Sequence, residues 1–186
     1  MKRAVDFMAA GLAAILLLPL FVLVGVAVRL TSPGPVLYWS DRVGRGSVLF
    51  SMPKFRTMNV GTPAVATHLM RDAKSALTPI GALLRRTSLD ELPQLWSVMK
   101  GDMSIVGPRP ALFNQDDLIA LRREVGVDIV RPGITGWAQI NGRDELPIPD
   151  KVALDAEYVK RQSFLFDLHI ILKTAAKLLG DKTVTH

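Results

Sequence analysis

The chain has 186 residues, enough for one domain with a modest core, and is 49% hydrophobic with a mean hydropathy of +0.26. It has no cysteine, which excludes a disulfide framework, a thiolate metal site and a cysteine nucleophile, and its three scattered histidines make no zinc site. A net charge of +6 and a pI near 9.9 point to a polyanionic partner. Basic residues are not interleaved with aromatic platforms and no reading helix stands out, so nucleic acid gives way to a membrane surface or a phosphate-rich small molecule.

Residues 7–28 read FMAAGLAAILLLPLFVLVGVAV without a charge, about the 20 residues a helix needs to cross a bilayer core. A cleavable leader has a shorter apolar region followed by small residues, whereas this run ends in Arg29 and TSPGP. It reads as a retained membrane anchor. Pro19 falls near its middle, removes a backbone hydrogen bond and favours a kink. Lys2 and Arg3 precede the run, and Arg29, Arg42, Arg45, Lys54 and Arg56 follow it, so the charge rule places either flank in the cytoplasm. Two topologies fit: one tilted spanning helix with a tolerated proline, or a re-entrant helix-break-helix with both ends cytoplasmic.

Residues 36–58 predict a β-hairpin with its turn at 43–46. A small, polar loop follows over 61–74. Leucine spacing predicts helices over 77–86 and 91–99, then a loop over 101–110 in which two prolines bracket Arg109. A short helix over 115–124 precedes a turn-rich segment, VRPGITGWAQINGR, and helices over 152–161 and 164–179 end the chain. The last places Phe164, Leu168, Ile171, Leu172, Ala175 and Leu179 on one stripe, with Lys173 and Lys177 beside it. Such a stripe is usually core, and in a basic anchored protein an interfacial role is the alternative.

Two acids stand together at Asp90 and Glu91. Ser88-Leu89-Asp90-Glu91 matches a capping box, but Pro93 would then occupy a position where an amide hydrogen is wanted. With Asp90 as the cap, Pro93 falls in the first turn, and both acids lie at the positive end of a helix, where phosphates and metals can gather. Arg85, Arg109, Arg131 and Arg143 each sit beside a turn, a proline or the acidic pair. Guanidinium forks match phosphate oxygens, and braced loops hold them with little entropy to lose. Lys54 and Arg56 end the second predicted strand, as phosphate contacts or as edge gatekeepers.

With KRAVD, KFRTM, SLDELPQLWSVMKGDMSIVGPRP, RPGITGWAQINGR, Asp155, Tyr158 and SFLFDLHIILKT in place, the chain resembles the small monotopic bacterial phosphoglycosyl transferases. The resemblance implies an α+β membrane-associated fold: a re-entrant segment over residues 1–32, then a cytosolic catalytic domain over 33–186 with a small β-hairpin and several amphipathic or interfacial helices. It implies transfer of a sugar phosphate from a UDP-sugar to polyprenol phosphate at the bacterial inner membrane, on the cytoplasmic face, with release of UMP. Asp90 matches the family's nucleophile and Glu91 its Mg²⁺ ligand, in a ping-pong cycle through a phosphosugar-aspartyl intermediate. Arg85, Arg109, Arg131, Arg143, Lys54 and Asp155 are the candidate phosphate or substrate contacts. Membrane lipid is a partner, a homodimer is the family's common state, and no nucleic acid is expected. The family's break is commonly Ser-Pro, whereas here it is Leu18-Pro19. Two rivals remain: a basic membrane-surface adaptor, and a polytopic transferase, which would need more spanning segments.

Overall fold

The computed structural model describes residues 2–63, 75–142 and 146–180. The uncharged run forms two helices, α1 (Lys2–Leu16) and α2 (Leu18–Thr31), bent by 63° at Leu17. Neither is long and apolar enough to cross a membrane, and the two pass that test only as a bent pair. Leu17 and Phe21 keep their amide bonds to Ala13 and Leu17 at 2.9 Å. The bend is thus confined to the turn where Pro19 offers no donor and its ring crowds the carbonyl four residues back.

The hairpin pairs β1 (Leu37–Val43) with β2 (Leu49–Phe55), Leu37 opposite Phe55 and Val43 opposite Leu49. Its connection, residues 44–48, is longer than the expected turn because a single 3-10 turn at Arg45–Ser47 is inserted, with Gly46 at φ +65°. Met52 and Lys54 lie on one face of β2, two residues apart. Met52 is in the core, so Lys54 continues the same face inward beyond it.

Residues 101–110, expected as loop, contain β3 (Ser104–Val106), which pairs in parallel with β4 (Gly133–Thr135). Strands of three residues carry no alternation to read. Between them run α5 (Asp116–Glu124) and a 3-10 turn (Val127–Ile129), while α3 (Gly81–Arg86) and α4 (Gln94–Lys100) precede both strands. The two short strands lie backbone to backbone: a Cβ on Gly133 would sit 2.1 Å from the Gly107 nitrogen, and one on Gly107 would sit 2.4 Å from the Arg131 carbonyl. Only glycine permits that approach. It brings the proline-arginine-proline segment against PGITG.

α6 (Trp137–Ile140), α7 (Ile148–Arg161) and α8 (Phe164–Gly180) complete the chain. α7 starts four residues before the expected 152, since Pro149 is tolerated in a first helical turn. Val106, Ile140, Tyr158, Phe166 and Ile170 form one core cluster. The face of α8 that packs is therefore Phe166–Ile170. The stripe expected as core is instead exposed: Phe164 is 65% accessible, Leu168 42%, Ile171 37% and Leu172 61%. Periodicity marked an apolar helix but could not say which of two apolar faces would meet β3.

Both ends of the bent pair are tied to this mixed α/β body. Lys2 Nζ lies 2.6 Å from Asp167 Oδ2 on α8, and Arg3 donates to the Val98 and Met99 carbonyls at the end of α4. Asp6, 5% exposed, accepts from Ser104 Oγ at 2.8 Å and the Ile105 amide at 3.3 Å. At the other end Val24 and Val28 pack with Phe55 and Leu84, and the Ser32 carbonyl accepts from buried Arg56 at 3.0 Å. Arg56 is thus a clamp on the end of α2 rather than a strand gatekeeper.

Asp6→Ala should take the carboxylate acceptor from the Ile105 amide and leave Ser104 Oγ with the Val106 carbonyl alone. Unfolding of the detergent-solubilised protein is expected to show a loss of about 1–3 kcal/mol, whereas Asp41→Ala, on the exposed hairpin face, should change it by less than about 0.5 kcal/mol.

Candidate active site

The acidic pair does not cap a helix. Asp90 and Glu91 form a single 3-10 turn (Leu89–Glu91), and α4 begins only at Gln94, with Pro93 in the cap position. Ser88 makes no side-chain cap bond and adopts φ 55°, a left-handed conformation unusual for a residue other than glycine. The Glu91 amide bonds to the Ser88 carbonyl, and Leu92 to Leu89, so the backbone donors here are already used. Proline placed the start of α4 later than Asp90, and the carboxylates are left for other work.

Glu91 is held from two sides. Its Oε1 accepts from Lys54 Nζ at 2.7 Å and from Arg109 at 2.9 Å. These three residues come from β2, the 3-10 turn and the loop after β3. The two cations hold the Glu91 carboxyl well below the usual carboxylate range despite its burial. Burial in turn lowers the Lys54 ammonium, against the pull of Glu91.

Asp90 is different. It is 7% exposed and has no hydrogen-bond partner among the described residues. Burial pushes its carboxyl up to about 6; Lys54, Arg85 and Arg109 pull it down, and neighbouring Glu91 pushes it up. Two adjacent carboxylates thus have opposite fates, one locked in ion pairs and one desolvated with its oxygens uncommitted. Environments that separate a titratable pair in this way separate their roles.

The other expected contacts divide. Arg85 donates to Thr57 Oγ1 at 3.0 Å and its charge acts on Asp90. Arg109 and Lys54 are at the pair. Arg131 Nε donates to the Gly101 carbonyl at 2.8 Å, at the opposite end of α4 from the acids. Asp155 is 1% exposed and paired with Arg122 at 2.6 Å rather than facing the acids. Arg143 lies outside the described residues, as does most of the 61–74 loop. Sequence reasoning passed over Arg122, although it follows Leu118 by one turn on the buried face of α5. A charge on a core face is itself a signal of a buried partner.

Among the described residues no three His, Cys, Asp or Glu side chains gather in a metal-holding group. Asp90 and Glu91 supply two carboxylates. That donor set suits Mg²⁺, which is held by one or two carboxylates and completed by substrate phosphates and water.

The family model for bacterial sugar transferases matches residues 1–181. A UDP-glucose:undecaprenyl-phosphate glucose-1-phosphate transferase of Xanthomonas campestris is 40% identical over 98% of the chain and 39% of its own length. A protein of the same description from Caulobacter vibrioides is 38% identical over 96% of the chain and 69% of its own length. A UDP-N-acetylgalactosamine-undecaprenyl-phosphate N-acetylgalactosaminephosphotransferase of Aeromonas hydrophila is 36% identical over 96% of the chain and 43% of its own. The chain thus spans about two fifths of the Xanthomonas and Aeromonas proteins.

The two acids should affect stability with opposite sign. The folded Asp90 value lies above its unfolded one, so its charge opposes folding increasingly as pH rises from about 4 to about 6. Asp90→Asn should therefore raise stability at pH 7 by roughly 1–3 kcal/mol, a gain that shrinks as pH falls from about 6 to about 4 and is gone below that. Glu91 is lowered on folding, so its contribution is present above its unfolded value and is lost as pH falls through the folded one. Glu91→Gln should lower stability at pH 7. Denaturant melts of both variants from pH 3.5 to 7.5 check the two signs.

Proposed function

The chain belongs to the bacterial sugar transferase family, and from that premise we propose that it moves a sugar phosphate from a UDP-sugar to undecaprenyl phosphate, releasing UMP. The observation that carries this reading is the division between Asp90, buried and uncommitted, and Glu91, locked to Lys54 and Arg109.

Asp90 is the nucleophile. One carboxylate oxygen attacks the sugar-linked phosphorus, the bond from that phosphorus to the UMP oxygen breaks, and UMP leaves with the electron pair. An oxygen of polyprenol phosphate then attacks the same phosphorus and expels the Asp90 carboxylate, giving the polyprenyl diphosphate sugar. Splitting the transfer avoids a direct meeting of two anionic substrates. Desolvation keeps Asp90 reactive, and Lys54, Arg85 and Arg109 offset the charge that develops on the phosphoryl oxygens. Glu91 and the substrate diphosphate would hold Mg²⁺, which supplies further neutralisation of phosphate charge. Glu91 keeps Lys54 and Arg109 in place beside the acid.

Residues 1–32 are the membrane segment and 33–186 the cytosolic catalytic region. A pair that enters and leaves on one face is supported by the contacts of Lys2, Arg3 and Asp6 at one end, and of Val28 and Ser32 at the other, with the same body. The uncovered apolar side chains on both its arms, Met8, Leu12 and Ile15 on α1 and Val22 and Leu23 on α2, suit a lipid surrounding, as do Phe164, Leu165 and Leu172 on α8. The location is the cytoplasmic face of the inner membrane, in glycan or exopolysaccharide assembly. Relatives at similar identity are named for different sugars, glucose and N-acetylgalactosamine.

Asp90→Asn should abolish UMP release from UDP-glucose and UDP-N-acetylgalactosamine, and no phosphosugar adduct should be trapped on it by intact-mass measurement; an active variant overturns the covalent route. In the wild-type enzyme kcat/KM for the UDP-sugar should fall about tenfold per pH unit below about 6, as Asp90 is protonated. A cysteine replacing Lys2 should resist a membrane-impermeant thiol reagent added to intact cells, and labelling there would mean that the segment spans.

A further inference from the structure

We infer that Asp155 and Arg122 are positioning residues for Arg109, and that Asp155 acts on the reaction only through that arginine. The inference rests on the reading of Arg109 as a phosphate contact. The loop that carries Arg109 has three consecutive carbonyls, and they are captured from two elements, α5 and β1. Arg122 donates to the Arg109 carbonyl at 2.8 Å, Arg42 on β1 donates to the Pro110 carbonyl at 3.2 Å, and the Val43 amide donates to the Ala111 carbonyl at 3.0 Å.

Of these, the Arg122 bond is the one set by a charge buried elsewhere. Arg122 Nε and one terminal nitrogen both donate to Asp155 Oδ2, at 2.9 and 2.6 Å, and its remaining terminal nitrogen reaches Arg109. Asp155 is 1% exposed and Arg122 8%, so Asp155 is closed off from a ligand and the Arg122 guanidinium is largely committed to its two partners. A guanidinium is a flat fork: fixing one edge on a carboxylate fixes the direction of the other. Asp155 on α7 therefore aims Arg122 on α5, Arg122 holds the backbone of residue 109, and the Arg109 side chain is delivered to Glu91. The chain Asp155–Arg122–Arg109–Glu91 spans three elements and ends in the site.

A buried ion pair is by itself poor evidence of a stability role, since apolar replacement is often neutral. The carbonyl bond to residue 109 gives this one a second task.

The experiment is a double-mutant cycle read on UDP binding by titration calorimetry in nanodiscs, with thermal unfolding measured on the same samples. Asp155→Asn and Arg109→Gln should each weaken UDP binding about tenfold. The double variant should bind no more weakly than Arg109→Gln alone, although its unfolding temperature falls by the full Asp155→Asn increment. Additive losses in binding would overturn the inference, as would unchanged binding in Asp155→Asn. If Asp155→Asn fails to fold, the joint replacement Asp155→Leu with Arg122→Met removes the buried charges together, and should fold while binding UDP as weakly as Arg109→Gln. Tight binding by that variant would equally overturn the inference. UMP release is read in parallel: a wild-type protein that binds UDP non-additively across the cycle, yet releases no UMP from any UDP-sugar, sinks the transfer reaction and leaves the positioning role standing.

Discussion

The site depends on one carboxylate oxygen. Glu91 Oε1 draws in Lys54 from the hairpin and Arg109 from the loop after β3, elements 37 and 18 residues away in the chain. Two cations converging on one buried anion would be expensive to assemble if any member were missing, because the others would remain desolvated and unpaired. With all three present, the excess positive charge sits beside Asp90, which takes no hydrogen bond from it among the described residues. The cluster is balanced enough to fold, and positive enough to receive a phosphate.

That arrangement explains why the surrounding structure is as constrained as it is. Lys54 is inward because Met52, two residues before it, is core. Arg109 is in reach because Gly107 and Gly133 allow two backbones to touch. The acidic turn is held by α4, whose far end is bound by Arg3 of α1 and followed by Gly101, the acceptor of Arg131. Arg131 also joins this scaffold. Its guanidinium is engaged at the end of α4, while its carbonyl lies against Gly107.

The N-terminal helix pair likewise joins two requirements. Its outward surface is apolar and uncovered, yet its ends carry buried polar contacts to β3, α4, α8 and Arg56. Displacing it would unpair groups in the same body that holds the acids. The placement of the helix pair and the integrity of the site therefore share a set of bonds.

Much of this was legible in the residues. The apolar run and its proline, the hairpin, the helices over 115–124 and 164–179 and the pairing of Asp90 with Glu91 follow from local rules: length, periodicity, turn chemistry and adjacency. Three-residue strands, the packed face of α8 and the role of Arg122 did not, because each is decided by what lies opposite in space. The capping expectation failed for the same reason: local spacing offered Asp90 or Ser88 as the cap, and the tertiary fold gave Ser88 a left-handed backbone and began α4 at Gln94. By itself the sequence determined which residues carry charge, where the chain must turn and how the anchor is interrupted. Only the tertiary structure decided which cations meet which acid. Burial and distance separate Asp90 from Glu91, and neither is a property of a residue and its neighbours along the chain.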